Sequence, residues 1–130
     1  MSVRIVPALT CLVLTAPLLP ALSQEPPATL SRYAAACDLA ARQTLVSTMA
    51  FSAVAIDDYT RDGDPEVDVV YDAISKSSGK VYPSTFTCTF ADLKRPDNIV
   101  LIGAAEGGRP YGIAAVAALN RLLKESGFQN

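Results

Sequence analysis

The stretch Val81–Phe90, VYPSTFTCTF, decides the fold of this chain. Its side chains alternate, so that one face carries Ser84, Phe86, Cys88 and Phe90 and the other carries Thr85, Thr87 and Thr89. A period of two is typical of a strand that is buried on one side only. The pattern therefore predicts a half-buried strand with the Cys88 sulfur among core side chains, and Cys37 is its expected partner.

The first 23 residues are typical of a secretory signal peptide. Arg4 supplies a positive charge, residues 5–19 are mostly apolar, and Ala-Leu-Ser at 21–23 forms a small-x-small cleavage site. Three prolines interrupt the apolar run, which is shorter than the roughly 20 residues that a membrane helix needs. We therefore expect cleavage, one periplasmic or secreted domain over residues 24–130, and no stable membrane insertion afterwards; an uncleaved anchor is the alternative.

Composition excludes several classes of function. The chain has 130 residues, of which 50% are hydrophobic, and a formal net charge of −2, as expected of one globular domain. It has no basic stripe for nucleic acid. It also has no histidine, which excludes Ser-His-Asp and Cys-His catalysis and imidazole-ligated zinc. We accordingly expect a protein that is not an enzyme and that binds no metal or cofactor.

Two cysteines remain when the signal is removed, because Cys11 lies inside it. An even number of cysteines in an exported domain predicts a disulfide, here Cys37–Cys88. Cys37 lies on the apolar stripe of a predicted helix that Thr29 or Ser31 caps, so both sulfurs face the predicted core. Two free thiols are the alternative.

The remaining pattern predicts an α+β fold in two layers. An N-terminal helix precedes strands at residues 51–59, 66–74 and 81–90, and residues 99–105 are either a fourth strand or an apolar run against the core. Short turns join the strands, which favours an antiparallel meander of three to four strands with one face in water. A C-terminal helix starts at Pro110. Its broad predicted apolar face comprises Ile113, Val116, Ala117, Leu119, Leu122 and Leu123.

Residues 34–90 resemble a family of small exported proteobacterial domains of uncharacterised function. The resemblance is carried by the helix with Cys37, the Val-x-Val-x-Tyr-Asp-Ala strand at residues 67–73 and the TFTCTF strand at residues 85–90, with a looser match at 119–128. The resemblance implies a disulfide from the first helix to a central strand, as well as the fold and the compartment. It implies no activity.

An acidic turn is the first candidate site. Six carboxylates lie within residues 57–68, and Asp62, Asp64 and Glu66 are the candidate cation ligands, since calcium prefers oxygen ligands. The spacing does not match an EF-hand loop, and a solvated turn explains the same residues.

A glycine-rich turn is the second candidate site. Gly107, Gly108 and Arg109 precede the predicted last helix, and helix N-termini attract anions; a plain turn is the alternative. With no catalytic pattern in the chain, we expect contact with an unknown protein partner through an exposed sheet face or edge. Binding of a small molecule or cation at the acidic turn is the alternative function.

Overall fold

The computed structural model describes residues 31–95 and 97–130, which form two helices and one five-stranded sheet. The elements in chain order are α1 (Arg32–Thr44), β1 (Met49–Arg61), β2 (Asp64–Ser75), β3 (Val81–Phe90), β4 (Leu101–Glu106), β5 (Arg109–Pro110) and α2 (Ile113–Glu125). The sheet order is β1-β2-β3-β4-β5, and each neighbouring pair is antiparallel. The predicted signal peptide at residues 1–23 lies outside the described residues. No helix within them is long and apolar enough to cross a membrane.

The α+β class and the antiparallel meander agree with the prediction, whereas the predicted number of strands was wrong. Residues 101–106 form β4, and a fifth strand follows it. Gly107 and Gly108 have φ of 57° and 82°, and this conformation of two successive residues turns the chain back so that Arg109 pairs with Glu106. Pro110 therefore lies in an edge strand, where it is tolerated, and α2 does not begin there as predicted.

The turn between β1 and β2 sets their register. Asp62 and Gly63 have φ of 52° and 87°, and they connect the paired residues Arg61 and Asp64. Two central residues with positive φ are typical of a tight hairpin whose twist matches that of its strands. Because side chains alternate along a strand, this register places Val67, Val69, Tyr71 and Ala73 on the same buried face.

Both helices cover that face and contribute to one core. Cys37 of α1 and Cys88 of β3 are fully buried, and their sulfurs lie 2.11 Å apart as a disulfide. Ser31 caps α1: its Oγ accepts a hydrogen bond from Ala34 N at 3.0 Å and donates one to the Asp58 carboxylate of β1. The helix is thus attached to the sheet both at its start and at its middle.

Helix α2 buries a narrower face than the sequence predicts. Within the described residues, Leu119 and Leu123 are its buried side chains, while Ile113 is 90% exposed. The helix ends at Glu125; Gly127, just beyond its cap, has φ of +87°, and Phe128 N donates to Leu123 O at 2.9 Å. The first two turns of α2 are largely exposed to solvent.

Candidate functional site

The edge of the sheet at β4 is largely closed. Asn120 of α2 bonds both backbone groups of Leu101: its Oδ1 accepts from Leu101 N at 2.9 Å, and its Nδ2 donates to Leu101 O at 2.8 Å. Farther along, β5 pairs with the end of β4, and Tyr111 N donates to Ala104 O at 2.8 Å. An additional strand therefore finds few free backbone groups on this side.

The opposite edge, formed by β1, is open. β1 is the first strand in the sheet order, and no other described strand pairs with its outer side. The register shifts between Ala53 and Ala55, which makes Val54 a bulge with 61% of its surface exposed. Free backbone groups on an edge strand can pair with an added strand, and a bulge interrupts such pairing. Residues 55–61 are the longer uninterrupted part of β1, and we call them the open edge.

Carboxylates stand on both sides of the open edge. Asp57 lies opposite Asp68, on the sheet face that no described helix covers. Asp58 lies opposite Val67 on the helix-covered face, where its carboxylate accepts the hydrogen bond from Ser31. A strand that pairs with the open edge would therefore have a carboxylate beside each of its faces.

A hydrogen-bond network occupies the uncovered face beside the open edge. Tyr59 Oη donates to Glu66 Oε1 at 2.8 Å and lies 3.2 Å from Asp68 Oδ2, while Thr87 Oγ1 donates to Asp68 Oδ1 at 2.7 Å. Arg61 Nε lies 3.4 Å from Glu66 Oε1. Burial, the hydrogen bond to Glu66 and the charge of Asp68 raise the pKa of Tyr59 to about 12. The network thus supplies hydrogen-bond donors to Glu66 and Asp68 and engages Arg61, the arginine of the open edge.

Asp57 stays outside this network. It is exposed, and within residues 31–95 and 97–130 it has no side-chain hydrogen bond or ion pair. Like charges directly opposite each other in a sheet are destabilising, and Asp57 faces Asp68 in this way. A positive charge from outside the described residues would relieve this repulsion.

The three predicted cation ligands do not gather at one point. Asp62 lies in the β1–β2 turn, Asp64 begins β2, and Glu66 is 7% exposed and engaged by Tyr59 and Arg61. In the part of the chain that the structure describes, no group of three or more cysteine, aspartate or glutamate side chains is arranged to hold a metal ion.

The predicted anion-binding residues lie in a hairpin. Gly107 and Gly108 connect β4 to β5, Arg109 is an exposed residue of β5, and α2 begins only at Ile113. The backbone N–H groups of a helix N-terminus, on which the prediction depended, are therefore not adjacent to the two glycines.

A second polar cluster lies on the helix-covered face, and the sequence analysis missed it. Glu106 Oε1 accepts a hydrogen bond from Tyr71 Oη, and Glu106 Oε2 accepts one from Tyr111 Oη at 2.8 Å. Burial and then the hydrogen bond to Glu106 raise the pKa of Tyr71 to about 12 and also raise that of Tyr111. Strand alternation placed Tyr71 on the core face, but Glu106 and Tyr111 gave no signal because the β4–β5 hairpin was not recognised.

Comparison with protein-family models, curated proteins and solved structures finds no match to this chain. Its function is therefore inferred from two features of the described residues: the open edge with its carboxylates, and the Tyr71–Glu106–Tyr111 cluster beneath the helices.

Proposed function

We propose that this protein is a non-enzymatic domain that acts outside the cytoplasm and binds a basic, extended segment of another protein as an added strand along residues 55–61. The observation that carries the proposal is the difference between the two edges of the sheet. The β4 edge has its backbone groups engaged by Asn120 and β5, whereas the β1 edge is open. Strand addition derives affinity from main-chain hydrogen bonds and specificity from alternating side chains.

The charge of the open edge supports a basic partner. Asp57 and Asp58 flank the edge on its two faces, and Arg61 is engaged by Glu66. Lysine or arginine side chains on an added strand would pair with Asp57 and reduce its repulsion with Asp68. The disulfide supports the compartment, since disulfides persist in oxidising environments.

Synthetic peptides test the proposal directly. The probes are two fluorescent decapeptides of alternating valine and lysine or alternating valine and glutamate, measured by anisotropy against the purified protein at low and physiological salt. The lysine peptide should bind and the glutamate peptide should not. Asp57→Lys should weaken binding about tenfold, because it replaces an attraction by a repulsion, each worth up to about 1 kcal/mol at an exposed site.

Asp72→Lys is the matched control, since it makes the same charge change on interior strand β2 and should leave binding within about twofold. A photo-crosslinking amino acid at the exposed bulge residue Val54 should capture the natural partner from a periplasmic extract of the source cells. The same amino acid at exposed Ile113 should not capture it. Equal binding of the two peptides, or capture that Asp57→Lys does not reduce, would refute the proposal.

A further inference from the structure

A cleft lies between the two helices, away from the open edge. Its volume is about 400 Å³, within the range of sites for small molecules. Gln43 and Thr44 at the end of α1 form one wall, and the α2 side chains Ala115, Leu119 and Leu122 form the other. Tyr111, the outer member of the Tyr71–Glu106–Tyr111 cluster, also lines the cleft.

The polar groups of this cleft offer acceptors. Tyr111 Oη donates its proton to Glu106 Oε2 at 2.8 Å, and Thr44 Oγ1 donates its proton to Ala41 O at 2.9 Å. Both residues line the same cleft. With both protons engaged, each oxygen has only lone pairs for a ligand. The polar group of a ligand at this point must therefore be a hydrogen-bond donor.

The charges around the cleft favour a positive donor. Within the described residues, Glu106 has no lysine or arginine at ion-pair distance, and two phenol protons are its hydrogen-bond donors. Gln43 and Thr44 are the last two residues of α1, and this end of a helix carries a partial negative charge because its last carbonyls have no intrahelical partner. Arg42, the basic residue of this turn, is paired with Asp38. Arg121 and Glu125 both line the cleft, so these two side chains add no net formal charge to it.

We propose that this cleft binds a small amphipathic amine. The protonated amine donates hydrogen bonds to the Tyr111 and Thr44 oxygens in the field of Glu106, and its apolar body packs against Leu119 and Leu122. An anionic ligand of the same shape would face the lone pairs of Tyr111 and Thr44 and the negative charge of Glu106. The cleft should therefore bind the amine in preference to an anion. This site is separate from residues 55–61 and does not depend on the proposed strand addition.

Three probes of similar shape test the charge argument: 2-phenylethylamine, 2-phenylethanol and 3-phenylpropionate. Binding is followed by calorimetry and by the backbone amide signals of the ¹⁵N-labelled protein. The amine should bind saturably and shift the signals of Thr44 and Leu119, the alcohol should bind at least about fivefold more weakly, and the carboxylate should not bind. Equal affinity for all three probes would overturn the proposal.

Two matched substitutions test the location. Ala118 is exposed and lines the cleft, whereas Ala114 is exposed on the same helix and does not line it. Ala118→Phe should abolish amine binding, and Ala114→Phe should leave it unchanged. Amine binding that survives Ala118→Phe, in a variant whose circular dichroism is native, would overturn the assignment to this cleft.

Glu106→Gln tests the charge within the site. It removes the negative charge and keeps one acceptor, the amide oxygen, for one of the two tyrosines. Amine affinity should fall about fivefold and affinity for the alcohol should stay the same; an equal loss for both probes would contradict the role of the charge. Asp57→Lys should not change amine binding, and Ala118→Phe should not change peptide binding, so either proposal can fail alone.

Discussion

Replacing both Cys37 and Cys88 by alanine should lower the free energy of unfolding by about 4 kcal/mol. The disulfide joins residues 51 positions apart. A cross-link stabilises a protein mainly by restricting its unfolded chain, and a loop of this length corresponds to roughly 4 kcal/mol at 25 °C. Domains of this size have a net stability of about 5–15 kcal/mol, so the loss is a large share of the total.

Urea unfolding of the oxidised protein, followed by far-UV circular dichroism, measures this loss. Besides a lower midpoint, the double variant should show a steeper dependence on urea, because its unfolded chain is freed from the cross-link and exposes more surface. At about 4–8 °C per kcal/mol, the melting temperature should fall by roughly 15–30 °C. Reduction should bring the wild-type protein to the same values and leave the variant unchanged.

A loss below about 1 kcal/mol with an unchanged urea dependence would refute the entropic reasoning. A larger loss without a change in that dependence would place the effect in the packing of the folded core, where both cysteines are fully buried. Thiol titration of the unreduced, unfolded wild-type protein should find no free thiol among these two residues, and two would show that the bridge does not form.

Two further outcomes follow from burial and from the tyrosine hydrogen bonds. Leu123→Ala should lower the free energy of unfolding in urea by about 3 kcal/mol, because Leu123 is fully buried. Ile113→Ala should change it by no more than about 0.5 kcal/mol, because Ile113 is 90% exposed. Similar losses in the two variants would contradict the packing of α2. Folding raises the pKa of both Tyr59 and Tyr71 from 10.0 to about 12, so their contribution to stability is complete below pH 10 and is lost as the pH rises through 12. In an absorbance titration of the folded protein, the Tyr59→Phe variant and the Tyr71→Phe variant should each show one fewer tyrosine with a raised pKa than the wild-type protein. A wild-type protein whose tyrosines all titrate near pH 10 would contradict this expectation.

Local pattern was enough to predict much of the fold. Alternation in residues 81–90 identified β3. The two cysteines left after the predicted signal peptide indicated the Cys37–Cys88 pair, and the position of Cys37 on the apolar stripe of α1 agreed with it. The turn at Asp62 and Gly63 could be predicted from the sequence because aspartate and glycine adopt positive φ more readily than most residues. Each of these features depends on neighbours within a few positions, and such signals are present in the sequence itself.

The start of the last helix and the width of its buried face were both predicted wrongly. Pro110 is compatible both with the first position of a helix and with an edge strand. It lies in an edge strand because the Gly107-Gly108 turn folds the chain back onto β4. The apolar face of α2 was predicted too broad, because hydrophobicity does not say which residues find a surface to pack on. Ile113 extends beyond the core and stays exposed.

The sequence by itself therefore determined the secondary structure of the central strands, the pairing of the two cysteines and the lack of imidazole chemistry. Only the tertiary structure decided the surfaces on which the two proposals are based. Asp57 faces Asp68 because of a hairpin register, Asn120 closes the β4 edge from another element, and Glu106 meets two tyrosines distant in sequence from each other. The reason is physical: these contacts depend on where the chain folds back on itself, which local periodicity does not encode.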